Sequence, residues 1–169
     1  PWTRKANRSN LYSPTGPWFD HTTGFGYYAL YKSYKVNTPG RIYSSIQKTY
    51  VNKPFCYSFF YHMFGETVNK LNVYLDEFES VSSISKHNRT LIWTKYGSQG
   101  NRWFNLQRTI NTPYPWRIVI EAVSGKSYLS EIAIDDTSLL SDACPPPRQC
   151  DFENDLCEFS NTNDGKADL

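Results

Sequence analysis

Four cysteines are the side chains with the most distinct chemistry in this sequence of 169 residues. An even number allows complete pairing, in three possible patterns, and disulfides form in oxidising compartments. The segment Asp-Phe-Glu-Asn-Asp-Leu between the last two cysteines does not give the spacing of a zinc knuckle. Disulfide bonds are therefore the predicted chemistry of Cys56, Cys144, Cys150 and Cys157.

Two Asn-x-Ser/Thr tripeptides would accept N-linked glycans in a secreted protein. They begin at Asn7 and at Asn88. Such tripeptides also arise by chance, but together with the even cysteine count they favour an extracellular location.

Catalytic chemistry has no matching motif in the sequence. The histidines, His21, His62 and His87, lie in three different segments. None accompanies a Gly-x-Ser-x-Gly nucleophile or a zinc-binding His-Glu-x-x-His. We therefore expect no enzymatic activity.

Composition restricts both the partners and the fold. The formal net charge is only +2, from 18 basic and 16 acidic residues that are scattered along the chain, so we expect no nucleic-acid partner. No apolar run reaches the roughly 18–20 residues that cross a bilayer, so this segment should not insert into a membrane. The 13 Tyr, 10 Phe and 5 Trp favour β-structure, because aromatic side chains suit half-buried pleated surfaces.

Short aromatic and β-branched runs alternate with turn residues from Gly26 to Leu139. This spacing predicts eight strands in two packed antiparallel sheets, an all-β sandwich or barrel. The predicted strands are Gly26–Lys32, Arg41–Tyr50, Phe55–Phe64, Leu71–Glu77, Leu91–Tyr96, Trp103–Ile110, Trp116–Ala122 and Glu131–Asp135.

Several motifs in order resemble a MAM domain, the module found in meprins, neuropilins and some receptor tyrosine phosphatases. The resemblance covers nearly all of residues 2–144. Its motifs are Thr15-Gly16-Pro17 with Asp20-His21-Thr22, Cys56–Gly65, Leu71-Asn72-Val73-Tyr74, and Ile132-Ala133-Ile134-Asp135-Asp136. The family implies an antiparallel jelly-roll-like β-sandwich with disulfides Cys56–Cys144 and Cys150–Cys157.

Some MAM domains hold a cation near these motifs, which makes four carboxylates candidate ligands. Oxygen ligands suit calcium better than zinc, and sodium remains open. The alternative is structural, with Asp20 capping a turn and one of the paired aspartates ending a strand. The candidates are Asp20, Asp135, Asp136 and, for a following domain, Glu153.

The two ends of the chain suggest a tandem arrangement. Residues 1–144 resemble a MAM domain that lacks its opening strand, residues 145–149 form a proline-rich linker, and residues 150–169 resemble the opening segment of the next domain. Joining Leu169 to Pro1 restores a normally spaced domain. The chain is thus either one period of a repeat or a piece of a mixed-domain protein.

These observations predict a non-catalytic extracellular adhesion or assembly module that binds neighbouring copies of itself or another extracellular protein and carries N-glycans. The predicted setting is a tandem MAM glycoprotein that forms a fibre, a sheath or a cell-surface structure. Alternatives are a carbohydrate-binding module and an accessory domain of a secreted protease or receptor ectodomain. The first would need an exposed aromatic platform, whereas core packing is the alternative role for Trp18, Trp93, Trp103 and Trp116.

Overall fold

The computed structural model describes residues 2–6, 15–32, 35–48, 53–81, 87–127 and 129–146. In these residues the chain forms nine β-strands and no helix that could cross a membrane. The strands are β1 (Trp2–Ala6), β2 (Tyr27–Tyr31), β3 (Pro39–Tyr43), β4 (Phe55–Phe64), β5 (Lys70–Phe78), β6 (His87–Tyr96), β7 (Phe104–Ile110), β8 (Trp116–Val123) and β9 (Glu131–Leu140).

The strands form two antiparallel sheets that pack as a jelly-roll-like sandwich. The five-stranded sheet has the order β1-β2-β9-β4-β7, and the four-stranded sheet has the order β3-β8-β5-β6. Strands distant in sequence become neighbours, since β4 lies between β9 and β7 and β8 lies between β3 and β5. The predicted all-β antiparallel fold is confirmed.

Apolar side chains at alternate strand positions fill the space between the sheets. Phe59 and Met63 of β4 face Leu71 and Val73 of β5, and none of the four is exposed to solvent. Alternation also places the neighbouring residues of β4 and β5 on the outer faces of the sheets. Each sheet therefore has an outer surface available for polar contacts.

Four strands differ from the prediction by more than one residue. The strand predicted at Arg41–Tyr50 is wrong over residues 44–48, because β3 ends at Tyr43, and residues 49–50 lie outside the described residues. The Ser44 amide still donates to the Ile118 carbonyl at 3.0 Å, but the Ile118 amide donates to the Ser44 side-chain oxygen at 3.0 Å. Beyond Ser44 the described part of this segment makes only an isolated bridge, from Gln47 to Trp116. Strand β1 was not predicted, β6 begins at His87 before its predicted start at Leu91, and β9 continues past its predicted end at Asp135.

A bulge lets β9 continue through the two aspartates. Ser138 pairs with Ser58 and Asp135 pairs with Phe60, so two residues of β9 lie opposite one residue of β4. Asp136 takes a left-handed conformation, with φ 47°, which Asp tolerates better than most residues. The bulge turns the Asp136 carboxylate away from the regular alternation of the strand.

Candidate functional site

Residues 15–26, called the covering loop below, lie across the outer face of the five-stranded sheet. The His21 ring stacks on Phe60 of β4 with ring centroids 3.4 Å apart. The Tyr28 hydroxyl donates to the Pro17 carbonyl at 3.0 Å, and the Trp103 indole donates to the Phe19 carbonyl at 3.2 Å. Ring packing and backbone hydrogen bonds thus fix the loop on the sheet.

Asp20 holds the covering loop in its turn. Its Oδ2 accepts hydrogen bonds from the Thr23 amide at 2.8 Å and the Thr23 hydroxyl at 2.9 Å, and its Oδ1 accepts one from the Gly26 amide at 2.7 Å. Burial raises the pKa of this carboxyl, but the donors on Thr23 and Gly26 outweigh it and hold the pKa below the ordinary value. Asp20 is therefore an ionised turn cap.

The two aspartates of β9 contact the same turn. Asp135 Oδ2 accepts a hydrogen bond from the His21 amide at 2.9 Å. Asp136 Oδ2 lies 2.8 Å from His21 Nδ1 and also contacts the Thr22 hydroxyl. Burial is the main cause that raises the pKa of Asp135, and the charges of Asp136 and Asp20 act in the same direction. The hydrogen bonds from the His21 and Asp136 amides lower this pKa but do not outweigh them. The predicted carboxylates Asp20, Asp135 and Asp136 thus meet at one turn and interact electrostatically.

The fit of this turn to a cation is incomplete. Carboxylate oxygens have the chemistry that calcium prefers, but their observed partners are amide, hydroxyl and imidazole groups. Within the described ranges, no group of three His, Cys, Asp or Glu side chains has a metal-binding arrangement. Glu153 lies outside the described residues. The calcium site stays a prediction.

A structural calcium ion at this turn would raise the melting temperature of the protein. A ligand at one hundred times its Kd stabilises the folded state by about 2.7 kcal/mol. Melting curves in calcium and in chelator measure this, with Asp136→Asn losing the shift and Asp142→Asn, at an exposed position, keeping it. Identical wild-type curves in the two buffers would rule out a structural calcium ion.

His62 lies beneath the covering loop and is almost completely buried. Its Nε2 lies 2.9 Å from the Asn101 Oδ1, and its Nδ1 has no hydrogen-bond partner among the described residues. Burial lowers the pKa of His62 to about 4, although the Asn101 contact acts in the opposite direction. The imidazole is therefore neutral in the folded protein at physiological pH.

We expect His62 to make the protein less stable as the pH falls from about 6.5 towards 4. In that interval the unfolded chain takes up a proton that the folded chain excludes, so stability falls by about 1.4 kcal/mol for each pH unit. His62→Gln, which keeps a donor for Asn101, should flatten this dependence. Urea unfolding at pH 7, 5.5 and 4.5 measures it, and equal slopes for both proteins would contradict the assignment.

Aromatic side chains of the covering loop face solvent. Trp18 is 49 % exposed and Phe25 is 85 % exposed. Trp18 and Phe19 also line a cleft of about 260 Å³, together with Asn101, Arg102 and Trp103. By contrast, Trp116 is buried in the core, and Trp93 packs against Phe59 and Tyr61. The predicted tryptophan platform is therefore divided, with two members at the cleft and two in the core.

The remaining predicted residues are placed as follows. Cys56 and Cys144 form a disulfide across 88 residues, and the Cys144 amide donates to Thr109 Oγ1 at 3.0 Å. Asn88 is exposed on β6. Asn7, Cys150 and Cys157 lie outside the described residues.

A family model described as "MAM domain, meprin/A5/mu" matches residues 1–145. The chain belongs to the MAM family. Thyroid hormone-induced protein B of Xenopus laevis is 34 % identical over 145 residues, which are 85 % of this chain and 20 % of that protein. MAM domain-containing glycosylphosphatidylinositol anchor protein 1 of Gallus gallus is 35 % identical over 134 residues, 78 % of this chain and 14 % of that protein. The MAM domain thus spans a fifth or less of the length of these relatives.

Solved structures with a similar fold share little sequence with the MAM domain. A family 16 carbohydrate-binding module has a TM-score of 0.51 at 7 % identity, covering 80 % of this chain and 96 % of that one. The tailspike protein 4 enzymatically active domain of bacteriophage CBA120 has a TM-score of 0.54 at 13 % identity, covering 82 % of this chain and 19 % of that one. At such identities the likeness shows the jelly-roll fold alone.

A charged cluster on the outer face of the four-stranded sheet was not predicted from the sequence. Asp76 of β5, whose side chain is not exposed to solvent, pairs with Arg89 of β6 and Arg117 of β8. On the same face Glu121 pairs with Arg41 at 2.5 Å. The sequence contained one indication of this cluster, because Asp76 is a carboxylate within a largely apolar strand. Its partners could not be predicted, because they lie on β6 and β8 and depend on strand order.

Proposed function

We propose that this MAM domain is a non-catalytic extracellular adhesion and assembly module, one repeat of a tandem MAM glycoprotein in a fibre, sheath or cell-surface structure. Its partner is a neighbouring copy or another extracellular protein. The observation that carries the proposal is the exposed aromatic surface of the covering loop, formed by Trp18, Phe19 and Phe25.

The extracellular location is supported by the disulfide and by the relatives. A bond such as Cys56–Cys144 persists in oxidising compartments. Several of the similar proteins are named for a glycosylphosphatidylinositol anchor. Secretion of the protein with Cys56–Cys144 intact from a eukaryotic host, read by non-reducing peptide mapping, tests this part of the proposal.

The covering loop has the properties of a protein contact surface. Aromatic side chains supply much of the affinity of protein interfaces because they bury a large area at little cost in conformational entropy. Here Asp20 and the His21 stack hold the loop, so little ordering entropy is lost on binding. The rings are therefore presented on a preorganised frame.

Two assays test the two kinds of partner. Aggregation of beads coated with the protein measures binding between copies, and a pull-down from a cell-surface fraction measures binding to another extracellular protein. An aromatic anchor at the centre of an interface contributes about 2 kcal/mol or more, which is on the order of 30-fold in affinity. Phe25→Ser and Trp18→Ser should therefore weaken bead or cell binding by about 30-fold. Tyr114→Ser, at a half-exposed aromatic in the turn after β7, should leave it unchanged. Equal binding by all three variants would contradict the proposed surface.

The tandem arrangement has a separate test in the native material. Peptides that run from Leu169 into Pro1, with Cys150 crosslinked to Cys157, would support a repeat. A protease, kinase or phosphatase sequence beside the MAM domain would instead favour an accessory domain of a secreted protease or a receptor ectodomain.

A second candidate function is carbohydrate binding, and the cleft at Trp18 favours it. An indole face packs against the C–H face of a sugar, while Asn101 and Arg102 at the rim offer hydrogen bonds to its hydroxyls. Titration of neutral and acidic oligosaccharides, followed by tryptophan fluorescence, should give saturable binding that Trp18→Ala removes. Unchanged fluorescence across the panel would reject this candidate, and inhibition of bead aggregation by the same sugars would link the two functions.

A further inference from the structure

Strand β6 forms an edge of the four-stranded sheet and needs protection against pairing with other chains. On one side it pairs with β5 from His87↔Phe78 to Tyr96↔Lys70. No described strand pairs with its other side. Among the edge strands of the described part, β6 has ten residues, whereas β1, β3 and β7 have five, five and seven. A long edge with unpaired backbone groups is a template for association.

The apolar character of β6 increases this liability. Leu91 is 50 % exposed and Tyr96 is 63 % exposed. Folded proteins commonly protect an edge with a lysine, a proline or a bulge. The second half of β6 has two of these devices. One is a register shift opposite Val73 and Tyr74, and the other is Lys95.

The first half of β6 lacks these devices. Its charged residue, Arg89, is turned towards Asp76, with its Nε 2.6 Å and its Nη2 2.8 Å from the two carboxylate oxygens. The Arg89 guanidinium is therefore held on the face of the sheet and does not guard the edge. The glycosylation tripeptide Asn88-Arg89-Thr90 occupies this half, and both Asn88 and Thr90 are exposed.

We propose that an N-linked glycan on Asn88 guards the free edge of β6 and prevents two domains from joining edge to edge. An incoming strand must approach to about 4.8 Å to pair. A bulky hydrated glycan attached at Asn88 occupies that space along the first half of the strand. The module then associates only through its other surfaces, which include the covering loop. This inference rests on the proposed extracellular location, because glycosylation requires secretion.

The test compares variants secreted from a glycosylating eukaryotic host. Asn88→Gln and Thr90→Val remove the glycosylation signal, whereas Thr90→Ser changes the same position and keeps it. Intact mass gives occupancy, and light scattering gives the molar mass in solution. All proteins in this comparison also carry Phe25→Ser, which removes association through the covering loop. In that background we expect the unaltered tripeptide and Thr90→Ser to carry the glycan and the protein to stay monomeric. Asn88→Gln and Thr90→Val should show about a doubling in mass, as expected for symmetric pairing of two identical edges.

Two further measurements separate the proposal from a folding defect and from a failed adhesion function. Trimming the glycan of the folded wild-type protein with a glycosidase that leaves one sugar should also promote dimers. Hydrogen exchange should then show that the β6 amides pointing away from β5 are protected in the dimer and not in the monomer, whereas those that donate to β5 are protected in both. Wild-type protein without a glycan at Asn88, or unglycosylated variants that stay monomeric at the same concentration, would overturn the proposal. The bead assay of the covering loop gives an independent result in either case.

Discussion

Replacing Cys56 and Cys144 together by alanine should lower the free energy of unfolding by about 4.6 kcal/mol. The bond closes a loop of 88 residues, and on the chain-entropy model a crosslink of that span removes this much conformational freedom from the unfolded chain. Cys56 is buried at the start of β4, and Cys144 follows β9, so the bond joins the central strands of the five-stranded sheet. Domains of this size have a total stability of about 5–15 kcal/mol, so the loss is large.

Equilibrium unfolding in urea measures this loss, and reduction provides the matched control. Wild-type protein in a reducing agent should become as unstable as the double variant. The variant itself should respond to the agent little or not at all, which also separates the effect of this bond from that of Cys150 and Cys157. A double variant within about 1 kcal/mol of wild type would show that the bond does not stabilise the fold.

The central strands could be predicted from sequence because their pattern is strong. Strands β4, β5 and β8 are dense in aromatic and β-branched residues, and turn residues bound them. Strand β1 has no such pattern, since Thr3, Arg4 and Lys5 make it largely polar. It is held by pairing with β2 and by the Trp2 indole, which donates to the Gly40 carbonyl at 2.9 Å. Contacts between distant segments are not visible in a local pattern.

The candidate site could be predicted only where the family motifs name its residues. The resemblance named Asp20, Asp135 and Asp136, and the structure brings them to one turn. The exposure of Trp18 and the burial of Trp116 could not be predicted, because both residues occur in similar aromatic contexts. Which face of a sheet a loop covers depends on strand order, and strand order is not encoded in the period of a single strand.

Asp76→Asn is expected to destabilise the domain by about 3 kcal/mol through the outer face of the four-stranded sheet. The Asp76 carboxylate accepts hydrogen bonds from Arg89 at 2.6 and 2.8 Å and from Arg117 at 3.0 Å. An asparagine would turn an amide donor towards a guanidinium donor and leave both arginines without their counter-charge. Removing one partner of a buried ion pair costs about 3–5 kcal/mol. We take the lower end of this range of free energies because the side chains of Arg89 and Arg117 remain partly exposed to solvent.

The pH dependence of the same variant distinguishes loss of the ion pairs from a simple packing defect. Burial raises the pKa of Asp76, but the hydrogen bonds from Arg89 and Arg117 outweigh it and hold the pKa below the ordinary value of 3.8. The unfolded chain therefore binds this proton first as the pH falls, so the contribution of Asp76 is present above about pH 4 and is lost in stronger acid. Melting temperatures between pH 7 and pH 2.5 should fall less steeply for Asp76→Asn than for wild type. Glu66→Gln, at an exposed position, should follow the wild-type curve. Because Asp20 and Glu121 also have lowered pKa values, Asp76→Asn should keep part of the acid sensitivity. An unchanged slope would mean that the two arginines stabilise the sheet by covering it with their side chains and not by their charge.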